Sequence, residues 1–172
     1  MTRRSKTTLR EFQAALAERL KAASRQSGRE SRLAVQAGQR HLLLRLDQVA
    51  EVAPLTAPVV RVARTQLWFL GVCNVRGALY AVTDLSWWLT GKPTATQPEV
   101  RLILWGGALS RLRTAVLVER VIGLCLLDSL RLVERRDESA FVADWIDDQG
   151  TTWSEVDFQR LITDAAFLHV AA

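Results

Sequence analysis

Gly71-Val72-Cys73-Asn74-Val75-Arg76-Gly77-Ala78-Leu79-Tyr80-Ala81-Val82-Thr83-Asp84-Leu85 carries the pattern on which the fold turns. Leu70–Arg76 and Leu79–Thr83 are runs of apolar and β-branched residues on either side of Gly77-Ala78, which predicts a hairpin. Asn and Gly tolerate the positive φ that tight turns require. The second run ends in Asp84, whose carboxylate can accept from the free N–H groups of a helix over Leu85–Leu89. The same order returns 73 residues later: Gly77, Tyr80, Asp84, Leu85, Trp88 and Leu89 are answered by Gly150, Trp153, Asp157, Phe158, Leu161 and Ile162. Upstream, Leu46–Val52 resembles Val118–Leu124 at an offset of 72. Two segments at nearly one offset predict two similar small β-barrels in tandem, each closed so that few strand edges are exposed.

The surrounding chain fits a mainly β protein. Leu33–Ala37 and His41–Leu46 flank Gly38-Gln39 as a second hairpin, and Arg101–Trp105 and Arg113–Val118 flank Gly106-Gly107 as a third. Pro54, Pro58, Pro93 and Pro98 fall in two loops, as residues excluded from central strands must. Helical pattern is confined to the N-terminal arm, to Leu85–Leu89 and to Asp157–Leu168.

At 172 residues, 49% hydrophobic and 24% charged, the chain has a globular composition. No stretch approaches the length of a membrane span, and no secretory leader is expected. The net charge of +5 is unevenly placed: residues 1–32 hold nine basic and three acidic groups, the other 140 hold 14 and 15. Residues 1–31 therefore read as a basic helical arm and linker, and 32–172 as a nearly neutral body with halves at about 32–98 and 99–172, their ends open to exchange. In the arm, Thr8 and Glu11 have capping-box spacing, and Leu9, Phe12, Leu16 and Leu20 form one apolar stripe suited to docking on the body or on a partner. Ser24 to Ser31 is a linker.

No catalytic constellation is assembled. The chain lacks phosphate-loop, dinucleotide, nucleophile-elbow and zinc-protease motifs. His41 and His169 have no ligand partner at helical spacing, and Asp144, Asp147 and Asp148 lack the order of a calcium loop. Cys73 and Cys125 read as small apolar residues in a reducing cytoplasm. Neither a metal nor a cofactor is expected. Arg76, at a rigid strand end, is placed to pair with a carboxylate, and Glu51 is the internal candidate. Six tryptophans, two of them adjacent as Trp87-Trp88, supply core packing and candidate interface anchors. A nucleic-acid-binding small β-barrel with a basic arm is the alternative function, against which the body's −1 charge counts.

Leu46-x-x-Val49-x-Glu51-Val52, the Pro-containing loop, Trp68, Gly71-x-x-Asn74-x-Arg76-Gly77 and Asp84-Leu85 resemble the CheW family of chemosensory coupling proteins, from about Arg32 to the C-terminus. Within it, the extra N-terminal helix and Phe167-Leu168-His169-Val170-Ala171 are similar to the PilI branch, which serves type IV pilus twitching motility. The resemblance implies two packed, SH3-like five-stranded barrels, with an N-terminal amphipathic helix and a short C-terminal helix. It implies a non-enzymatic cytoplasmic adaptor recruited to membrane-associated receptor arrays. Its partners would be the regulatory domain of a CheA-type histidine kinase and the cytoplasmic tip of a methyl-accepting receptor, with no nucleic acid and no membrane insertion. It further implies that Val49, Gly71, Asn74 and Arg76 lie at or near the receptor-facing surface, with Glu51, Gly77 and Asp84 in support. Ala81, Cys73 and Gly123 depart from the family pattern, where Pro, Thr or Ala, and an acidic residue are usual.

Overall fold

The computed structural model describes residues 30–137 and 140–172, so the helix expected in the N-terminal arm lies outside the described residues. Twelve strands run in the order β1 (Ser31–Ala37), β2 (Arg40–Arg45), β3 (Val49–Pro54), β4 (Val59–Val60), β5 (Phe69–Val75), β6 (Ala78–Asp84), β7 (Arg101–Trp105), β8 (Thr114–Val118), β9 (Arg120–Leu126), β10 (Arg131–Arg135), β11 (Phe141–Ile146) and β12 (Thr152–Val156). Three short helices complete them: α1 (Leu85–Thr90), α2 (Phe158–Leu161) and α3 (Ala165–Leu168). The chain is mainly β, and its strands form two six-stranded sheets rather than units of five. Sheet A has the order β10-β11-β12-β2-β1-β9, and sheet B the order β4-β5-β6-β8-β7-β3.

The two orders are the same pattern. In each sheet a C-terminal-type hairpin (β11–β12 or β5–β6) joins a second hairpin (β2–β1 or β8–β7) through one parallel pairing. The parallel contacts are Trp153↔His41 to Val156↔Leu44 in sheet A and Ala81↔Thr114 to Asp84↔Leu117 in sheet B. Sheet A therefore takes β1 and β2 from one end of the chain and β9–β12 from the other, while β3–β8 make sheet B.

The repeat in the sequence is a repeat in space. Gly77 (φ 85°) and Gly150 (φ 83°) sit in the turns before β6 and β12. Asp84 ends β6, Asp157 follows β12, and the two cap α1 and α2. Two expected elements differ in detail. β7 and β8 pair as predicted, but a 3-10 turn over Gly107–Leu112 connects them, because Leu109 dips into the core and is only 4% exposed. The helical run after Asp157 is broken in two, because the Asp164 carboxylate accepts from Ala166 N and Phe167 N and starts α3 afresh.

Strand alternation divides the core into three. Leu33, Val35, Leu42 and Leu44 of sheet A meet Ile103, Trp105, Val116 and Val118 of sheet B in one shared cluster, with Leu85, Phe158, Leu161 and Phe167 from the helices. The intervening residues face the other way. Ala34 and Leu43 pack with Ala143 and Trp145 inside sheet A, and Leu102, Leu104, Ala115 and Leu117 pack with Cys73 and Val82 inside sheet B. Each sheet thus encloses its own core and packs on its neighbour through a common one.

Candidate functional site

The β5–β6 turn is two residues long, with Val75 paired to Ala78. Its residues are Arg76 and Gly77, one position earlier than the sequence suggests, and both have positive φ (52° and 85°). Positive φ at both positions is the turn geometry whose twist matches a hairpin. The Asn74 Oδ1 accepts from Gly77 N at 2.8 Å and closes it. For Arg76 the left-handed backbone costs about 1–2 kcal/mol. It also thrusts the side chain off the sheet, where 74% of it is exposed.

Arg76 is nonetheless held in place. Its Nη2 lies 2.9 Å from Glu51 Oε1 and its Nη1 donates to Glu51 Oε2 at 3.1 Å, a two-pronged contact. The sequence placed these two residues together, and the structure brings them into contact. Glu51 lies on β3, at the opposite end of the strand order from β5. Four strand spacings would put them roughly 19 Å apart in a flat sheet. The contact between them means that sheet B curls enough to bring β3 back toward the β5–β6 turn. Two N–H groups of the guanidinium bind Glu51 and the rest face outward. Asn74 is exposed beside it, and its cross-strand partner Leu79 is 60% exposed.

The other residues expected at this surface lie beneath it. Val49 is 6% exposed and packs in the shared core, so its side chain does not face outward. Gly71 is buried as well, at a register shift in β5. It has φ 122°, and a Cβ there would lie 2.0 Å from the Val60 carbonyl oxygen. It is glycine so that β4 can approach β5. Asp84 is buried and accepts from Trp87 N (3.0 Å), Thr94 N (2.8 Å) and Thr94 Oγ1 (2.7 Å), fixing α1 and the loop after it. Gly77 is exposed in the turn. Of the adjacent tryptophans, Trp88 packs on the shared core, stacked 6.3 Å from Phe141, and Trp87 is half-buried.

Sequence reasoning missed Gln48. It is 3% exposed, donates to Asp157 Oδ1 at 2.7 Å and accepts from Phe158 N at 2.8 Å, tying the start of β3 to α2. A lone polar residue ahead of a strand carries no signal of a partner 109 positions away.

Asp144, Asp147 and His41 are engaged structurally. Asp144 accepts from Arg136 and Ser154, and Asp147 from its own loop and from Trp153. His41 packs against the Trp153 ring at 5.0 Å. Burial pushes the thiols of Cys73 and Cys125 up, away from the reactive thiolate. Among the described residues no group of three or more His, Cys, Asp or Glu could hold a metal, and no helix is long and apolar enough to cross a membrane.

No curated protein matches the sequence. The crystal structure of scaffolding protein TtCheW from Thermoanaerobacter tengcongensis is similar in fold, with a TM-score of 0.59 at 15% identity, over 75% of this chain and 89% of that one. A model of the CheW-like domain matches residues 32–166, the span that contains both sheets and the Arg76–Glu51 pair, and the chain belongs to that family.

Proposed function

We propose that the chain is a non-enzymatic adaptor that couples the cytoplasmic tip of a methyl-accepting receptor to the regulatory domain of a CheA-type histidine kinase. Family membership supports the adaptor role, because proteins of this family act as scaffolds. The observation that carries the receptor contact is the Arg76–Glu51 pair: a guanidinium exposed over most of its surface, yet oriented by a carboxylate and by a two-residue turn. Such a group enters a complex with little conformational freedom left to lose. It can offer its outward N–H groups to a carboxylate or carbonyl on a receptor helix, with Asn74 and Leu79 beside it. Val49, Gly71, Gly77 and Asp84 act from below, by holding β3, β5 and α1 in place.

An adaptor without an active site works by simultaneous binding. Holding kinase and receptor together raises their effective concentration, and a small difference in geometry biases the kinase between states. Residues 32–172 form the coupling domain and residues 1–31 an appended arm. That arm and the Phe167–Ala171 end favour the PilI branch, hence twitching motility, in the cytoplasm at membrane-associated receptor arrays.

Two measurements test this. Tagged full-length protein should capture a histidine kinase and a methyl-accepting receptor from native lysate, and deletion of the gene should abolish twitching. Recovery of neither from a folded bait sinks the adaptor reading. Salt-sensitive DNA or RNA binding that survives removal of residues 1–32 would replace it with the nucleic-acid alternative. Twitching unaffected by deletion would move the protein to another chemosensory system. Arg76→Asp should weaken receptor binding more than tenfold while kinase binding and cooperative unfolding stay unchanged; unchanged receptor affinity removes Arg76 from the contact.

A further inference from the structure

At the end of the β5–β6 hairpin away from Arg76, Phe69 pairs with Thr83, and Thr114 begins β8 beside Ala81. The C-terminal segment crosses this end of sheet B. Gln66 N donates to Val170 O at 2.8 Å, Gln66 Nε2 donates to Ala171 O at 3.0 Å, and α3 carries Phe167 into the shared core. Between sheet and segment lies a cavity of about 270 Å³ whose wall includes Phe69, Thr83, Trp105, Thr114, Ile162 and Phe167. Two further lining residues, Leu112 and Leu168, are 50% and 59% exposed, which puts the mouth at the surface. One wall holds an unmet donor. Trp105 is 3% exposed and stacks on Phe158 and Phe167 at 5.0 and 6.0 Å. Its indole Nε1–H is buried and has no acceptor among the described residues. A buried indole N–H ordinarily finds a partner, because a stranded donor costs stability.

We propose that this cavity is a binding site for a small neutral carbonyl compound, apolar apart from one oxygen that accepts from Trp105 Nε1–H. Size supports this class of ligand. The volume lies below the ~300–1,000 Å³ of pockets for drug-sized molecules and above the ~150 Å³ that encloses benzene, so a single ring with a short substituent fits. Polarity supports it too. Beside the indole, the only polar side chains in the wall are Thr83 and Thr114, and the Thr114 hydroxyl already donates to Leu112 O at 3.3 Å. A water needs two to four polar partners and is poorly served by such a wall. A carboxylate would enter with one donor and no cation in the wall to offset its desolvation. A neutral carbonyl needs one donor and leaves its apolar body against Phe69, Leu112, Ile162 and Phe167. The site lies apart from the Arg76–Glu51 pair and is independent of the adaptor role.

Two probes of one shape test the proposal: acetophenone, and α-methylstyrene, in which a methylene replaces the carbonyl oxygen. In proton–nitrogen correlation spectra of the full chain, acetophenone should shift the Trp105 indole resonance saturably. Its methyl protons should show nuclear Overhauser contacts to the Leu112 and Ile162 methyl groups. α-Methylstyrene should bind about tenfold more weakly, the difference one hydrogen bond makes. A Trp105→Phe chain, which keeps an aromatic ring and loses the donor, should bind the two probes equally. If that variant does not fold, the affinity ratio and the Overhauser contacts in the wild-type chain decide. The proposal is overturned by equal affinities in the wild-type chain, by contacts to residues outside the cavity, or by no saturable shift up to the solubility limit of acetophenone. A Trp105 indole proton that contacts a long-lived water and does not respond to acetophenone assigns the donor to that water and equally overturns it.

Discussion

The two sheets share one strand order, yet their corresponding surfaces are used in opposite ways. In sheet B the β5–β6 turn is Arg76-Gly77, and the arginine reaches across to Glu51 on β3. In sheet A five residues, 147–151, join β11 to β12, and the Asp147 carboxylate turns back onto the loop itself. Asp147 accepts from Gln149 N at 3.0 Å, Thr151 N at 2.8 Å and Trp153 Nε1 at 3.0 Å. The acid is missing from sheet A as well. Glu51 pairs with Leu104 beside a register shift, and Gly123 pairs with Ala34 beside the corresponding one. One backbone plan therefore carries an outward charge pair in one copy and a closed, self-satisfied loop in the other. A partner that reads charge geometry can tell the two ends of this nearly symmetric molecule apart.

The largest effect should separate two glycines. Gly71→Ala drives a Cβ into the Val60 carbonyl and should cost at least ~3 kcal/mol in urea unfolding. Gly123→Ala, at φ 150° with nothing within 4 Å of the added carbon, should cost only about 1 kcal/mol. Equal losses would mean that the strands of sheet B are no more tightly approached than those of sheet A.

The capping aspartates should behave alike. Asp84→Ala removes bonds to Trp87 N and Thr94, and Asp157→Ala removes bonds to Gln159 N and Gln48 Nε2. Each should destabilise by about 2 kcal/mol, from a lost cap and a stranded donor. A difference above ~1 kcal/mol would break the equivalence of the two copies.

Acid should distinguish the loops. The Trp153 indole N–H, and then the Thr151 N–H, hold the Asp147 carboxyl below its ordinary range. A carboxyl depressed in the folded state contributes stability above its unfolded pKa and loses it as pH falls through the lower folded value. Trp153 fluorescence should report loosening of this loop below the usual carboxylate range, and Asp147→Asn should flatten that limb. An unaltered acid limb in the variant would assign the change to another group.

The smallest effect on stability belongs to the most exposed charge. Arg76→Ala should shift unfolding by no more than about 0.5 kcal/mol, because a solvent-exposed pair contributes little. A loss of ~2 kcal/mol would make the pair a clasp of sheet B rather than a recognition device.

What was legible in the sequence is what is local. Gly77 and Gly150, the hairpins at Gly38-Gln39 and Gly77, and the caps at Asp84 and Asp157 each depend on residues within a few positions. The Arg76–Glu51 contact was also legible, from complementary residue types at a strand end. The sixth strand of sheet B was not, since β4 has only two residues. The parallel pairing of β12 with β2 leaves no spacing to read, because its register is set by packing between distant segments. Burial at Val49 and Gly71 was hidden for the same reason: a motif position does not say which side of a curled sheet it occupies.

The divided origin of sheet A has a consequence for biosynthesis. Every strand of sheet B lies between Val49 and Val118, so its pairings are all available once Val118 has left the ribosome. The β1–β2 hairpin is translated first, yet its parallel neighbour ends at Val156. Between completion of sheet B at Val118 and of β12 at Val156, at ~5–20 residues per second, the interval is about 2–8 s. Through it, Leu42, Leu43 and Leu44 wait without the strand that completes their sheet. A nascent chain stalled between these two points would present a finished sheet B beside an apolar hairpin open to chaperones, or to the same hairpin of a neighbouring nascent chain.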